Sequence, residues 1–219
     1  PVADIEKFAS MYGKAKAALI RLGEGMTRLA AGGQALRSVV LLPGVTGHYD
    51  VKGGGALLLT AASCDLNYNA IRKPSGPATA RMINHLRLGE DLLNMKDPPI
   101  RALYVSANNP VVTCPEVHKV QQGLMREDLF TVVHDPFLTD TAKYADIVLP
   151  ASNYLETDDL YRAYGAYWMQ WGQQAAKPLG EARSNFEVAQ ALAQRMGITD
   201  RIFTLSPQDA AKELLKGAT

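Results

Sequence analysis

The sequence predicts an α/β fold, a Rossmann-like three-layer αβα arrangement with a mainly parallel sheet. Three short apolar runs support this prediction, and segments with helical periodicity separate them. Near-continuous apolar runs are typical of parallel strands, because such strands are covered on both faces and lose the alternation with polar residues. Crossovers between strands of this kind are right-handed in almost all proteins. The runs cover residues 102–105, 129–133 and 146–149.

Helices are expected between and after these runs. Residues 115–124 begin with proline, which is favoured in the first turn of a helix because its missing N–H has no helical acceptor there. Residues 139–144 are a short helical candidate. The tail carries apolar residues at helical spacing over 185–196, where Gly197 suits the C-terminal cap, and a final short helix is expected over 207–215.

The first fifty residues predict a helix, a short strand and a second helix. Helical periodicity covers 5–12, a compact apolar run covers 17–22, and an amphipathic stretch covers 26–42 with a soft break at Gly32 and Gly33.

Residues 51–98 have weaker periodicity, with a Pro- and Gly-rich interruption at 73–77 and a helix-like run at 78–93. A run of about 45 residues is too long for an ordinary connector, so we expect a functional or inter-lobe segment. The predicted domains are therefore 1–98 and 99–219.

Composition and charge are those of an ordinary globular protein. Of 219 residues, 47% are hydrophobic and 21% are charged, which is enough apolar material for a core. A net charge of +1 does not indicate binding to nucleic acid or to a membrane surface. No apolar run reaches the roughly 18 residues that span a bilayer. The chain begins at Pro1 with no initiator Met or signal-peptide pattern, so we expect an internal fragment of a longer protein.

The two cysteines, Cys64 and Cys114, are too few for a Cys-rich zinc site or an iron–sulfur cluster within this chain. We interpret them as reduced, partly buried thiols, which is typical of a cytoplasmic protein.

Polar or turn-forming residues follow each of the three apolar runs. In an open parallel sheet, ligands bind outside the carboxyl ends of the strands, and these ends meet at one edge. We therefore expect amide, imidazole, carboxylate and hydroxyl groups to face one ligand. The residues concerned are 106–110 after the first run, His134 and Asp135 after the second, and Pro150, Ala151 and Ser152 after the third.

This set of groups suits a purine nucleotide. Guanine presents N1–H and N2–H donors, for which the carboxylate of Asp135 is an acceptor, and the amides of Asn108 and Asn109 both donate and accept. Structural interpretations stay open beside this one. Asn-Asn-Pro is itself a strong turn signal, a single histidine after a strand is commonly structural, and Asp146 could cap the preceding turn. Further hydroxyls suited to phosphate or sugar oxygens belong to Thr113, Thr141 and Ser152.

A second candidate lies at Gly23 and Gly25, which follow the run 17–22 and precede a helical stretch. A strand–glycine turn–helix unit can bring backbone N–H groups close to an anionic ligand. As a dinucleotide fingerprint it is incomplete, because Arg28 stands where the third glycine is required. Arg28 suits either a phosphate or a solvated surface.

These segments together resemble the molybdopterin oxidoreductase family, which includes dimethyl-sulfoxide reductase, formate dehydrogenase and nitrate reductase. Residues 21–28, 42–47 and the glycines at 53–55 resemble the end of the family's second domain. Residues 106–110 and the highly specific run TAKYADIVLP at 141–150 resemble its third domain, and the match continues through Glu156, 178–182 and 195–197.

The resemblance implies a cofactor, molybdopterin guanine dinucleotide carrying molybdenum or tungsten, held by two Rossmann-like domains that each bind one guanosine end. Residues 1–98 are then the end of the second domain with an inter-lobe segment, and 99–219 are the third domain. The resemblance also implies two kinds of partner, the remaining domains of the polypeptide and an electron-transfer subunit. The resemblance implies contacts with guanosine or its phosphates from Ser106, Asn108, Asn109 and Thr113. It also implies that Thr141, Pro150, Ala151 and Ser152 line the same edge. His134 stands at a position where some relatives have Gln.

Two departures from the family pattern bear on the reaction. The family's iron–sulfur cysteines and its metal ligand usually lie upstream, and neither is visible here, so these 219 residues are expected to bind nucleotide and be inactive alone. Formate-dehydrogenase-like members carry an arginine shortly after the glycine segment, whereas 56–62 contains none, which disfavours formate as substrate. The alternative function is a non-catalytic α/β module that binds a nucleotide or a protein.

Overall fold

The computed structural model describes residues 1–58, 65–72, 81–163 and 168–217. The chain divides into two compact units, the first formed by 1–65 with 161–170 and the second by 66–160 with 171–218. The predicted domain boundary at residue 98 stays a prediction. Cys64, the stretch 73–77, residues 59–62 and the start of the run 78–93 lie outside the described residues.

The first unit has the predicted order of helix, strand and helix. Between the strand and the second helix, residues Glu24–Arg28 form a 3₁₀ turn, and the helix begins only at Gly32 rather than at residue 26. A Cβ on Gly32 would lie 2.4 Å from the backbone oxygen of Met26, so only glycine lets the chain fold back there. The elements are α1 (Val2–Lys14), β1 (Leu19–Leu22), α2 (Gly32–Thr46) and an unpredicted β2 (Gly55–Leu58), which pairs in parallel with β1.

A buried histidine joins the two helices of this unit. Gly47 ends α2 in the left-handed conformation (φ 74°), which suits glycine at a helix C-terminus. His48 follows, and its Nε2 lies 2.9 Å from the backbone oxygen of Tyr12, with the two rings edge to face. Because a carbonyl oxygen only accepts, Nε2 carries the proton and donates.

The second unit is built on a three-stranded parallel sheet, which confirms the predicted α/β fold with mainly parallel strands. All three apolar runs form strands in the order β3–β4–β5. Ser106 pairs with His134, and Asp135 pairs with Pro150, so the strands end together. The strands are β3 (Ala102–Ser106), β4 (Phe130–Asp135) and β5 (Ile147–Pro150).

Helices and a second small sheet complete the described chain. Two further strands, β6 (Asp159–Arg162) and β7 (Met169–Gly172), form a two-stranded sheet. The predicted tail helices are confirmed at α7 and α8. The helices are α3 (Asn69–Arg72), α4 (Leu88–Asn94), α5 (Pro110–Thr113), α6 (Val117–Leu124), α7 (Asn185–Arg195) and α8 (Pro207–Leu215), with 3₁₀ turns at Thr141–Tyr144 and Arg201–Thr204.

Two α-helix starts in the second unit also differ from the sequence prediction. The helix predicted from residue 115 begins at Val117, because Glu116 adopts the left-handed conformation (φ 52°) immediately before it. In the described part of the run 78–93, the α-helix begins only at Leu88. Asn84 interrupts the run, since its side-chain oxygen accepts a hydrogen bond from the Leu86 N–H at 3.0 Å and starts a 3₁₀ turn.

The main core lies between the sheet and the pair α4 and α6. Leu92 and Val120 are fully buried at its centre. The two helices approach closely because Gly123 faces Leu92, where an added Cβ would lie only 2.6 Å from the leucine Cβ. A smaller cluster of Val105, Val133 and Ala142 continues the core under β3 and β4. The opposite face of the sheet, which carries Ser106 and His134, meets the start of α7.

An ion-pair cluster fixes the loop from α6 to β4. Arg126 donates from Nε and Nη2 to the two carboxylate oxygens of Asp128 at 2.9 and 2.8 Å, and it also donates to the backbone oxygen of Leu92. Arg101 forms a second ion pair with the same carboxylate. The hydrogen bond from Arg126 is the main reason that the pKa of Asp128 lies below its usual value.

Replacing Asp128 with Asn should reduce the pH dependence of stability in acid. A carboxyl whose folded pKa is lowered stabilises the fold above its unfolded pKa of about 3.9, and this contribution is lost as the pH falls through the folded pKa. Urea midpoints measured from pH 3 to 7 should therefore converge for the native chain and Asp128→Asn at the acid end. Glu127→Gln, an exposed neighbour, is the control. A midpoint difference that stays constant over this range contradicts the prediction.

Candidate functional site

The three strand ends lie at one edge of the β3–β4–β5 sheet, as the sequence predicts. We call residues 106–109, 134–135 and 150–152 the strand-end edge. Parallel pairing places Ser106 beside His134 and Asp135 beside Pro150, and the Ala151 N–H donates to the backbone oxygen of Asp135 at 3.2 Å. Nine of the eleven residues selected from the sequence therefore belong to this part of the second unit, with Thr113 at the end of α5 and Thr141 in the turn before β5.

Asn108 holds the turn between β3 and α5. Its side-chain oxygen accepts hydrogen bonds from the Asn109 N–H at 2.8 Å and from the hydroxyl of Thr113 at 3.2 Å. The Thr113 hydroxyl lies also 3.0 Å from the Asn109 backbone oxygen and is exposed. No hydrogen bond among the described residues uses the Asn108 Nδ2 group, so this amide keeps two free donors.

Asn109 is oriented by a buried threonine. The Thr141 backbone N–H and hydroxyl both donate to Asn109 Oδ1, at 3.1 and 2.7 Å. The same hydroxyl accepts from the Val111 N–H at 3.1 Å. With Thr141 fully buried and its hydroxyl engaged twice, this side chain positions Asn109 and is closed to a ligand in this structure. The Nδ2 group of Asn109 has no partner among the described residues.

His134 is buried at the end of β4 with both ring nitrogens engaged. Its Nε2 lies 3.1 Å from the backbone oxygen of Arg183, and its Nδ1 lies 3.1 Å from the hydroxyl of Tyr104. Burial raises the pKa of Tyr104, so that hydroxyl remains protonated and able to donate at neutral pH. The ring is 1% exposed, and neither nitrogen is available to a ligand here, which differs from the direct contact that the sequence predicted.

Asp135 and Ser152 keep unused hydrogen-bonding groups at the edge. Asp135 Oδ1 accepts from the Phe137 N–H at 2.9 Å, while no hydrogen bond among the described residues uses Oδ2. The Ser152 hydroxyl oxygen is buried without a partner in the described part of the chain. A buried polar group without a partner costs about 1–3 kcal/mol, so a partner for this oxygen is expected in the working protein.

Residues 183–185, which were not predicted as part of the site, run along the same edge. Arg183 donates its N–H to the Pro150 oxygen at 3.1 Å and accepts from the Ser152 N–H at 3.0 Å. Asn185 accepts a hydrogen bond from the Ser106 hydroxyl at 2.9 Å. The available sequence signal was the capping box of Ser184 and Glu187, which marks the start of α7 but not its position beside the sheet.

The remaining two candidates, Gly23 and Gly25, lie after β1 in the first unit. Neither has a left-handed backbone, and an added Cβ would meet nothing within 4 Å at either position. The described residues therefore do not explain why glycine stands there. Arg28 forms an exposed ion pair with Glu24 at 2.8 Å, which agrees with the solvated interpretation of this arginine.

Comparison with known proteins identifies the family. Residues 5–195 match the model of the molybdopterin oxidoreductase family. The chain belongs to this family. One relative is the probable oxidoreductase YoaE of Bacillus subtilis, which is 44% identical to this chain over 200 residues. The aligned region covers 90% of this chain and 29% of the relative.

Two further relatives are enzymes whose names state a substrate or a cofactor. The alpha subunit of F420-dependent formate dehydrogenase 1 from Methanococcus maripaludis is 27% identical, covering 97% of this chain and 34% of the relative. Biotin sulfoxide reductase from Cereibacter sphaeroides is 38% identical over 110 residues, covering 50% of this chain and 14% of that protein. The chain thus spans about a third or less of the length of these relatives.

Among the described residues, none of the helices is both long and apolar enough to cross a membrane.

Proposed function

We propose that this chain binds the guanosine end of a molybdopterin guanine dinucleotide at the strand-end edge. The observation that carries the proposal is the orphaned Ser152 hydroxyl, which lies on the edge where three further polar groups are unused. These are Asn108 Nδ2, Asn109 Nδ2 and Asp135 Oδ2. Donors and acceptors that converge outside the carboxyl ends of parallel strands form the usual nucleotide site of this fold class.

The free groups match the chemistry of guanosine. The carboxylate of Asp135 accepts from guanine N1–H and N2–H, which are donors that adenine does not present in this arrangement. The amide donors of Asn108 and Asn109 serve the guanine carbonyl oxygen or the ribose hydroxyls. Ser152 and Thr113 serve ribose or phosphate oxygens. His134 and Thr141 support the edge instead of contacting the ligand.

The chain's own contribution is binding and orientation. When bound, the molybdenum or tungsten of the cofactor supplies two-electron redox chemistry in the parent oxidoreductase. The residues of the strand-end edge hold the nucleotide end, which fixes the direction in which the pterin extends. In the first unit, Gly23 and Gly25 are proposed as a separate place where backbone N–H groups approach an anionic group, because the space beside both is open.

Calorimetric titration with GDP and ADP tests the proposal. We expect GDP to bind at least tenfold more tightly than ADP, because an unpaired carboxylate penalises the base that lacks matching donors. Asp135→Asn should weaken GDP binding by about 1.5–3 kcal/mol, the usual value of a hydrogen bond to a charged group, and should reduce the preference for guanine. Asp140→Asn, which alters an exposed carboxylate paired with Lys143, is the matched control.

Equal affinity for GDP and ADP would favour the alternative, a nucleotide-binding module without a role in holding this cofactor. Absence of binding to either nucleotide by the folded chain would overturn the proposed site.

A further inference from the structure

We infer that His134 is a positioning residue whose Nε2–H donates to the Arg183 backbone oxygen and fixes residues 183–185 across the three strand ends. The inference rests on the proposed function for its effect on ligand binding. The hydrogen-bond geometry that it invokes is independent of any ligand.

The tautomer follows from the two partners of the ring. Nε2 faces the backbone oxygen of Arg183 at 3.1 Å, and a carbonyl oxygen can only accept, so Nε2 carries a proton. Nδ1 faces the hydroxyl of Tyr104 at 3.1 Å. In a neutral ring Nδ1 is then the acceptor, and the Tyr104 hydroxyl donates to it.

The segment 183–185 is attached to each strand of the sheet. At β3, Ser106 donates its hydroxyl to Asn185. At β4, His134 donates to the Arg183 oxygen. Beyond β5, the same Arg183 oxygen accepts from the Ser152 N–H at 3.0 Å, so His134 and Ser152 share one acceptor.

Sharing an acceptor couples the buried ring to the candidate ligand group. The Arg183 carbonyl accepts from the Ser152 N–H and so helps to hold the backbone that carries the unpartnered Ser152 hydroxyl. His134 thus acts through Arg183 on Ser152, although the ring itself is buried and has no nitrogen left for a ligand. The cap of α7 at Ser184, whose hydroxyl accepts from the Glu187 N–H at 3.1 Å, holds the segment in register from the other side.

The donor–acceptor pattern can be separated from the volume of the ring by two substitutions. Glutamine offers a donor NH₂ and an acceptor oxygen on one amide, which can serve Arg183 and Tyr104 in the same sense as the neutral imidazole. Leucine fills similar space but offers neither group. A residue that only filled the core would be replaced well by leucine and poorly by glutamine.

The first measurement concerns the native 219-residue chain. Long-range ¹H–¹⁵N NMR correlations of the His134 ring should show a proton on Nε2. Proton exchange at the Ser152 amide should be slow in the native chain and in His134→Gln, and at least tenfold faster in His134→Leu. An Nδ1–H tautomer, or equal Ser152 exchange in all three chains, overturns the inference.

The second measurement is GDP affinity, which should be retained within about threefold in His134→Gln and fall about tenfold in His134→Leu. Equal affinity of the folded Leu variant and the native chain would also overturn the inference. If GDP does not bind the native chain, the proposed function fails, while ring tautomer and Ser152 exchange still decide the positioning role. If His134→Leu does not fold, Tyr104→Phe serves instead. It removes only the donor to Nδ1 and should leave the Nε2–H tautomer in place while altering the Nδ1 shift.

Discussion

Replacing Leu92 with alanine should lower the free energy of unfolding of the second unit by about 3 kcal/mol. Leu92 is completely buried between α4 and α6 and is part of the largest hydrophobic cluster. Removal of its three outer carbons leaves a cavity, and the cost depends on how far the neighbours can close it. Collapse is limited here, because Gly123 already brings α6 against the Leu92 Cβ and because Arg126 holds the Leu92 backbone oxygen.

The matched control is the same substitution at Leu86, which is 62% exposed in the turn that precedes α4. Leu86→Ala should change stability by less than about 0.5 kcal/mol, as is usual for a surface position. Urea denaturation followed by circular dichroism compares the two variants. A similar loss in both would show that the α4–α6 contact does not provide the stability of this unit.

The fold could be predicted from the sequence wherever the determining signal was local. The runs 102–105, 129–133 and 146–149 became the strands of one parallel sheet, as continuous apolar runs indicate, although Tyr104, Phe130 and Ile147 are exposed in the described structure. Helix starts were less predictable. Glu116 takes a left-handed conformation, which is uncommon for a residue with a side chain and has no signature in a single sequence. The strand β2 lacked periodicity, because its four residues depend on pairing with β1.

The candidate site was predictable as a location but not as a set of contacts. Strand ends meet at one edge in any parallel sheet, so the positions of Ser106, Asp135 and Ser152 followed from the topology. Which groups stay free depends on partners distant in sequence. The acceptor for His134 is Arg183, 49 residues away, and the residue that orients Asn109 is Thr141, 32 residues away. Residue type and spacing contain no information on such pairings.

The polar groups of the strand-end edge therefore fall into two sets. His134, with Thr141 beside the edge, uses its hydrogen-bonding groups within the protein and holds the edge in shape. Asn108, Asn109, Asp135 and Ser152 retain groups that no described residue uses. This division makes distinct predictions, because a variant of the first set should alter both stability and binding. Asp135→Asn, which keeps an acceptor oxygen for the Phe137 N–H, should alter binding alone.

Thr141→Val is the sharpest test of this division and should affect both properties. Valine has nearly the shape of threonine, so the change removes the hydroxyl with little change of packing. The Val111 N–H loses its acceptor in a buried place, and Asn109 loses one of its two donors. We expect a loss of about 2 kcal/mol in the free energy of unfolding, since a buried unpaired group costs about 1–3 kcal/mol. Binding of GDP should weaken as well, because the Asn109 amide is then oriented by one hydrogen bond from residue 141 instead of two.

Two further variants separate the causes. Thr141→Ser keeps the hydroxyl and should restore GDP affinity even where the lost methyl lowers stability. Thr199→Val changes an exposed threonine and should alter neither property. Stability is measured by urea denaturation and affinity by calorimetry on the same samples. If Thr141→Val loses stability but still binds GDP as tightly as the native chain, then Asn109 is oriented by its turn alone. The threonine would then support the fold and not the site.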